Sequence, residues 1–133
     1  MFCNKGRQYR TKSKLGQGMY GKCYLVHEAS GAQYAIKTVD LRRLDEHSRQ
    51  QAKDEVDILK QSERSTGVGH PNIVRYFDSW FRGTELCILM EYCSNGNLEN
   101  YLSGVKSSGE CLPEMEVAYK MSQLLSALDH CHN

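Results

Sequence analysis

The chain has 133 residues, 40% hydrophobic and 25% charged, with two prolines, a length that suits one domain and a balance that excludes a disordered polyelectrolyte. Seventeen Lys and Arg against sixteen Asp and Glu give a net charge of +1, and no basic cluster interleaves with aromatics, so no nucleic-acid partner is expected. No apolar run nears the ~20 residues that span a bilayer and Met1 to Arg10 has no signal-peptide core, so the expectation is an intracellular, cytoplasmic chain with no membrane partner.

In chain order, residues 1–8 read as an N-terminal tail. Three strands follow at Tyr9 to Leu15, Lys22 to His27 and Gln33 to Val39, each rich in β-branched or aromatic residues. The loop Glu28-Ala29-Ser30-Gly31-Ala32 predicts an antiparallel hairpin between the second and third. Ser48-Arg49-Gln50-Gln51 fits a helix capping box, after which Ala52, Val56 and Leu59 recur at helical spacing. A polar stretch, Ser62 to Gly69, precedes two further strands, Asn72 to Trp80 and Glu85 to Tyr92, around the turn Phe81-Arg82-Gly83-Thr84. The rest is helical: Leu98, Tyr101, Leu102 and Val105 share one face, a loop follows at Ser107 to Glu110, and a second helix opens at Pro113. Its apolar face, Val117, Met121, Leu124, Leu125 and Leu128, is broad. The predicted fold class is α+β, a five-stranded antiparallel sheet with one packed helix followed by two more helices.

Six cysteines, Cys3, Cys23, Cys87, Cys93, Cys111 and Cys131, are widely and irregularly spaced with no C-x-x-C pair, so they are expected as thiols. His130-Cys131-His132 are adjacent on a helix and point apart, so no metal site is predicted there.

Gly16-Gln17-Gly18-Met19-Tyr20-Gly21 matches G-x-G-x-x-G, a pattern that unrelated phosphate-binding loops share. In the dinucleotide-binding version a helix follows the loop. Here Lys22-Cys23-Tyr24-Leu25-Val26 alternates like a strand, which argues against that reading. The Walker-type loop fails on the same ground, and Cys23 stands where it needs a hydroxyl for magnesium. What remains is a strand-loop-strand hairpin whose glycines let backbone N–H groups approach phosphate oxygens, or a glycine-rich hairpin with no ligand.

Period-two alternation puts Ala35, Lys37 and Val39 on one face of the third strand, a cation between two apolar neighbours. On the following helix Glu55 sits three residues after Ala52 and four before Leu59, within the apolar stripe. Two buried opposite charges left apart would each cost several kcal/mol, so the pattern predicts a Lys37–Glu55 bridge. A bridge holding the lysine ready for phosphate, a merely structural salt bridge and a pair of solvated side chains all fit.

With Tyr34-Ala35-Ile36-Lys37 similar to V-A-I-K, His70-Pro71-Asn72-Ile73-Val74 ahead of the fourth strand and Leu89-Met90-Glu91-Tyr92-Cys93 after the fifth, the chain from Tyr9 to Asn133 resembles a eukaryotic protein kinase domain. By the wording of the last segment and of Asn72-Ile73-Val74-Arg75-Tyr76 it is most similar to the NIMA-related serine/threonine kinases. The resemblance implies a division into an N-lobe with hinge over 9–93 and the start of a C-lobe over 94–133. It implies ATP as ligand, with Lys37 on the α and β phosphates and Glu55 orienting it. Gly16, Gly18, Tyr20 and Gly21 would cover the phosphates, and Leu15, Cys23 and Ala35 would close over the base. Met90 would stand behind the adenine, and the backbone of Glu91 and Cys93 would hydrogen-bond its edge, with Asn97 near the ribose. Cys23 replaces the family's usual valine and reads as packing.

The family's H-R-D-x-x-x-x-N and D-F-G segments, which supply the catalytic base and the magnesium ligands, do not occur in these 133 residues. The resemblance therefore implies magnesium only with a complete domain, a protein substrate for that domain, and no activity for this chain alone. The alternative is a non-catalytic kinase-like module that binds nucleotide or a partner. The last helix, without the rest of that lobe against it, is expected to favour self-association or a protein partner.

Overall fold

The computed structural model describes residues 1–18, 21–66 and 70–132, and of residues 62–66 the backbone alone. Among the described residues six strands form one antiparallel sheet: β1 (Phe2–Asn4), β2 (Arg7–Gln17), β3 (Lys22–His27), β4 (Gln33–Asp40), β5 (Tyr76–Arg82) and β6 (Glu85–Met90), in the order β1-β2-β3-β4-β6-β5. A 3₁₀ turn (Leu41–Arg43) leads from β4 to α1 (Glu46–Thr66), and α2 (Leu98–Ser108) and α3 (Glu114–His132) follow the sheet. The class is the α+β antiparallel sheet with a packed helix that the sequence implies, with one strand more than the five expected.

That extra strand lies in the residues read as a tail. Lys5 and Gly6 both take positive φ, 49° and 81°, as a two-residue hairpin turn requires, and Phe2 pairs with Tyr9 in register. Lysine is a weak turn signal, and a three-residue strand shows no period, so the sequence did not announce it. Asn4 Nδ2 donates to Asp78 Oδ2 at 2.8 Å and Lys5 Nζ lies 3.2 Å from the same oxygen. Arg82 sits over the Phe2 ring at 4.6 Å. The first strand thus reaches strand β5 at the opposite edge and curls the sheet over its outer face. Partial burial opposes the charge on Asp78, but the Ser79 N–H, Lys5 and Asn4 together hold its carboxyl below the ordinary range.

Period-two alternation on the central strands makes two cores, one per face. Outside, Phe2, Tyr9, Val26, Ile36, Cys87 and Leu89 cluster; inside, Val39, Leu86 and Ile88 pack on Ala52, Val56 and Leu59 of α1. Ile36 and Ile88 are fully buried, each side chain contributing about 1.5–3 kcal/mol. The helical stripe read from the sequence is therefore the one that fixes α1 to the sheet.

Helix α1 begins earlier than the predicted capping box. The Ser48 N–H donates to Asp45 Oδ1 at 2.8 Å, so Asp45 caps the helix and Ser48 lies inside it. The helix also runs through Thr66 into the polar stretch Ser62 to Gly69; residues 67–69 of that stretch lie outside the described residues. Strand β5 starts at Tyr76 rather than Asn72 because Ile73 N–H bonds the His70 carbonyl at 3.1 Å and Asn72 N–H bonds His70 Nδ1 at 3.0 Å, making a turn. His70 also ties this turn to α3, with Ser126 Oγ 3.2 Å from its Nε2 and the His130 ring 4.9 Å away. On α3 only Ala127 is buried among the described residues, and Met121, Leu124, Leu125 and Leu128 are exposed.

Candidate functional site

The inner face of the sheet gathers most of the residues singled out in the sequence. Cys23 stands opposite Lys37 in register, Leu25 opposite Ala35, and on the other side Met90 opposite Ala35 and Ile88 opposite Lys37. Opposed residues in an antiparallel sheet share a face, so Cys23, Ala35, Lys37 and Met90 lie side by side there. Lys37 Nζ donates to Glu55 at 2.9 Å to Oε1 and 2.8 Å to Oε2. Glu55 reaches it because Ala52, Val56 and Leu59 on the same helix are locked against Val39, Leu86 and Ile88.

The pair is less buried than the alternation suggested. The Lys37 side chain is 26% exposed and that of Glu55 43%. Both open onto a cavity of about 390 Å³ between β4 and α1, lined also by Val39, Ala52 and Ile58. A half-solvated bridge of this kind adds little to stability, at most about 1 kcal/mol. Its evident consequence is positional: it holds an ammonium at the middle of the inner face.

Above Cys23 the β2–β3 connection carries the glycines. Gly18 N–H donates to the Gly21 carbonyl at 2.9 Å and closes the tip; Met19 and Tyr20 between them lie outside the described residues. The glycines divide by what surrounds them. A Cβ on Gly21 would sit 1.9 Å from the Thr38 carbonyl oxygen, whereas on Gly16 or Gly18 it would meet nothing within 4 Å. Gly21 is thus glycine for packing against β4, while Gly16, opposite Cys23, and Gly18, on a second cavity behind the hairpin, both border open space. Leu15, at an irregularity in the β2–β3 register, is exposed.

At the end of β6, Glu91 N–H donates to the Arg75 carbonyl at 2.8 Å, and its side chain accepts from Arg75 N–H at 3.1 Å. The Cys93 carbonyl accepts from Gly96 N–H at 3.4 Å. These bonds leave the Glu91 carbonyl and the Cys93 N–H as the main-chain groups not used in them. Arg75 was not anticipated, and no local pattern could have revealed it, since the contact joins segments 16 residues apart. Asn97 acts as the N-cap of α2, its side chain accepting from Asn100 N–H at 2.7 Å. That bond engages the side-chain oxygen of a residue that the resemblance would place near a ribose.

Burial pushes the Cys23 thiol up, against the opposing pull of Lys37, and burial followed by Glu91 does the same to Cys93. Both stay protonated near neutral pH, which argues against nucleophilic roles; Cys23 is half-buried and Cys93 exposed. No group of three His, Cys, Asp or Glu side chains among the described residues could hold a metal ion. The chain's own chemistry at this face is therefore the placing of a cation, backbone donors and an apolar wall.

The model of the protein kinase domain family matches residues 9–133. The Mus musculus serine/threonine-protein kinase Nek4 is 38% identical over 120 residues, which cover 89% of this chain and 14% of that protein. Mus musculus Nek1 is 32% identical over 127 residues, 95% of this chain and 10% of that protein. Homo sapiens Nek2 is 31% identical over 132 residues, 97% and 28% respectively. The chain spans less than a third of the length of each of these curated relatives. The family match runs over nearly all of the chain and includes the glycine hairpin, Lys37 and Glu55, and the chain belongs to the protein kinase family, alongside NIMA-related serine/threonine kinases.

Proposed function

We propose that residues 9–93 form the nucleotide-binding lobe and hinge of a serine/threonine kinase domain and residues 94–133 the first helices of the second lobe. In this reading ATP lies on the inner face of the sheet. Lys37 takes the α and β phosphates and Glu55 keeps its ammonium in place. The open space at Gly16 and Gly18 lets main-chain N–H groups approach the phosphates, with Tyr20 and Gly21 completing the loop. Leu15, Cys23, Ala35 and Met90 wall the adenine, while the Glu91 carbonyl and Cys93 N–H meet its edge. The observation that carries the reading is the two-oxygen contact of Glu55 with Lys37 on the face that also holds Cys23, Ala35 and Met90.

Transfer to a protein hydroxyl additionally needs a base that aligns the hydroxyl and protein ligands for magnesium, which supplies charge neutralisation on the phosphates when bound. Losing even one well-placed group commonly costs ~10²- to 10³-fold in rate. The 133-residue chain alone is therefore expected to bind nucleotide without transferring phosphate. A photoreactive azido-ATP carrying a radiolabelled γ-phosphate tests both halves at once. Ultraviolet light should fix label on the chain, and excess ATP should prevent it; no label should pass in the dark to a Ser/Thr protein substrate. Absence of competable photolabelling would sink the binding half. Dark transfer that vanishes in Lys37→Met would sink the other.

A further inference from the structure

The net charge of +1 conceals a strong asymmetry. Lys5, Arg7, Arg10, Lys12, Lys14 and Lys22 are the charged residues of the first 27 positions, and the first acidic residue is Glu28. The remaining 11 cations face all 16 Asp and Glu, a net of −5. Two of the six are neutralised where they stand, Lys5 by Asp78 and Arg7 by Glu28 at 3.8 Å. Arg10, Lys12, Lys14 and Lys22 have no carboxylate partner among the described residues, Lys14 bonding only the Gln17 amide oxygen.

The fold places these cations along an unpaired strand edge. Strand β2 pairs with β3 from Arg10 to Gln17, but on its other side β1 covers it only at Arg7, Gln8 and Tyr9. Beyond Tyr9 every residue of β2 is exposed. At about 3.3 Å per residue the cations from Arg10 to Lys14 span about 13 Å. Lys14 stands opposite Tyr24, and Lys22 opposite Thr38, so both lie on the outer face. A cavity of about 460 Å³ opens on that face, with Thr11, Gln17, Lys22, Arg43 and Arg82 in its lining together with Asp40 and Glu85.

One or two edge lysines would suffice to discourage unwanted strand pairing. Three cations within five residues, none with a carboxylate partner among the described residues, exceed that need and match an acidic partner; Asp40 and Glu85 in the cavity that adds Lys22 are already paired with Arg42 and Arg82. The one aromatic between Lys5 and Lys14, Tyr9, is buried and offers no face for base stacking. Unused main-chain donors and acceptors suit another extended backbone. The register irregularities between Thr11 and Ser13 and between Lys14 and Gly16 twist the strand and keep the matching segment short. We propose that the open edge of β2, from Arg10 to Gln17, docks a short acidic extended segment of a partner protein by strand addition, its carboxylates meeting Lys14 and Lys22 on the outer face and Arg10 and Lys12 along the edge.

Fluorescence anisotropy with a labelled octapeptide of alternating glutamate and valine, titrated with the 133-residue chain at low salt, tests this. Binding should weaken at least ~10-fold in the variant Arg10→Glu/Lys12→Glu/Lys14→Glu, and at least ~10-fold when alternate peptide nitrogens are methylated in the register that faces β2. Circular dichroism checks that the triple variant folds; if it does not, Lys12→Glu alone should still cost about threefold. No binding, or equal binding of peptides methylated in either register, overturns the proposal. So does equal displacement by a polyphosphate of the same charge, which marks a general polyanion patch. Sedimentation of the chain alone as a dimer that the triple variant abolishes would assign the edge to a second copy and overturn it too.

Discussion

Replacing Lys37 with methionine is expected to remove most of the chain's affinity for a non-hydrolysable ATP analogue while leaving its melting temperature nearly unchanged. The unmodified chain should bind in the sub-millimolar range at best, about 4–5 kcal/mol, since it presents one wall of the cleft. A hydrogen bond to a charged group contributes about 1.5–3 kcal/mol, so its loss weakens binding roughly tenfold to a hundredfold, beyond calorimetric detection. The stability term is small for a visible reason. Lys37 and Glu55 are both partly solvated, so Glu55 left alone turns to water at a cost of at most about 1 kcal/mol. Calorimetric titration and a thermal melt on the same preparation separate the two quantities. Unchanged affinity would remove the phosphate role from Lys37, and a collapse in melting temperature would recast the pair as structural.

The second large effect is at Gly21. A methyl there would occupy the space of the Thr38 carbonyl oxygen at 1.9 Å, and backbone cannot swing aside as a flexible side chain does. Overpacking of this kind costs about 1–3 kcal/mol, which for a chain of this size lowers the melting temperature by roughly 5–15 °C. Gly18→Ala is the matched control, since its Cβ enters open space and should change stability by less than about 1 kcal/mol. Scanning calorimetry on the two variants makes the comparison. Equal stability losses would mean that the loop glycines share one role, contrary to the division seen here.

Much of this architecture was legible because period and punctuation agreed. The alternation of Ala35, Lys37 and Val39 and the stripe of Ala52, Val56 and Leu59 name the two surfaces that meet, and Glu55 within that stripe names the partner of Lys37. The same pattern overstated burial. Alternation says which face a side chain shares, not how much protein covers that face, and here the cavity beside α1 leaves both charges partly wet. Strand β1 was illegible since three residues carry no measurable period and a Lys-Gly turn lacks the usual Asn or Asp. The early start of α1 was missed because Asp45 and Ser48 are both good caps, and choosing between them depends on the turn Leu41–Arg43 that delivers the chain. Arg75 beside the end of β6 and Thr38 behind Gly21 are long-range backbone contacts that no local signal encodes.

The two faces of the sheet also offer the sharpest test of where nucleotide binds, because the larger cavity, about 460 Å³, lies on the outer face behind the glycine hairpin and not beside Lys37. Size alone favours the outer site. The charge pair, the open space at Gly16 and the main-chain groups after β6 favour the inner one. Backbone amide shifts of the ¹⁵N-labelled chain, followed by nuclear magnetic resonance during titration with a non-hydrolysable ATP analogue, distinguish them directly. The account predicts the largest shifts at Gly16, Cys23, Lys37 and Cys93, with Phe2, Arg43 and Arg82 unmoved. Shifts concentrated on Phe2, Arg43 and Arg82, with the amides of Lys37 and Cys93 still, would contradict it.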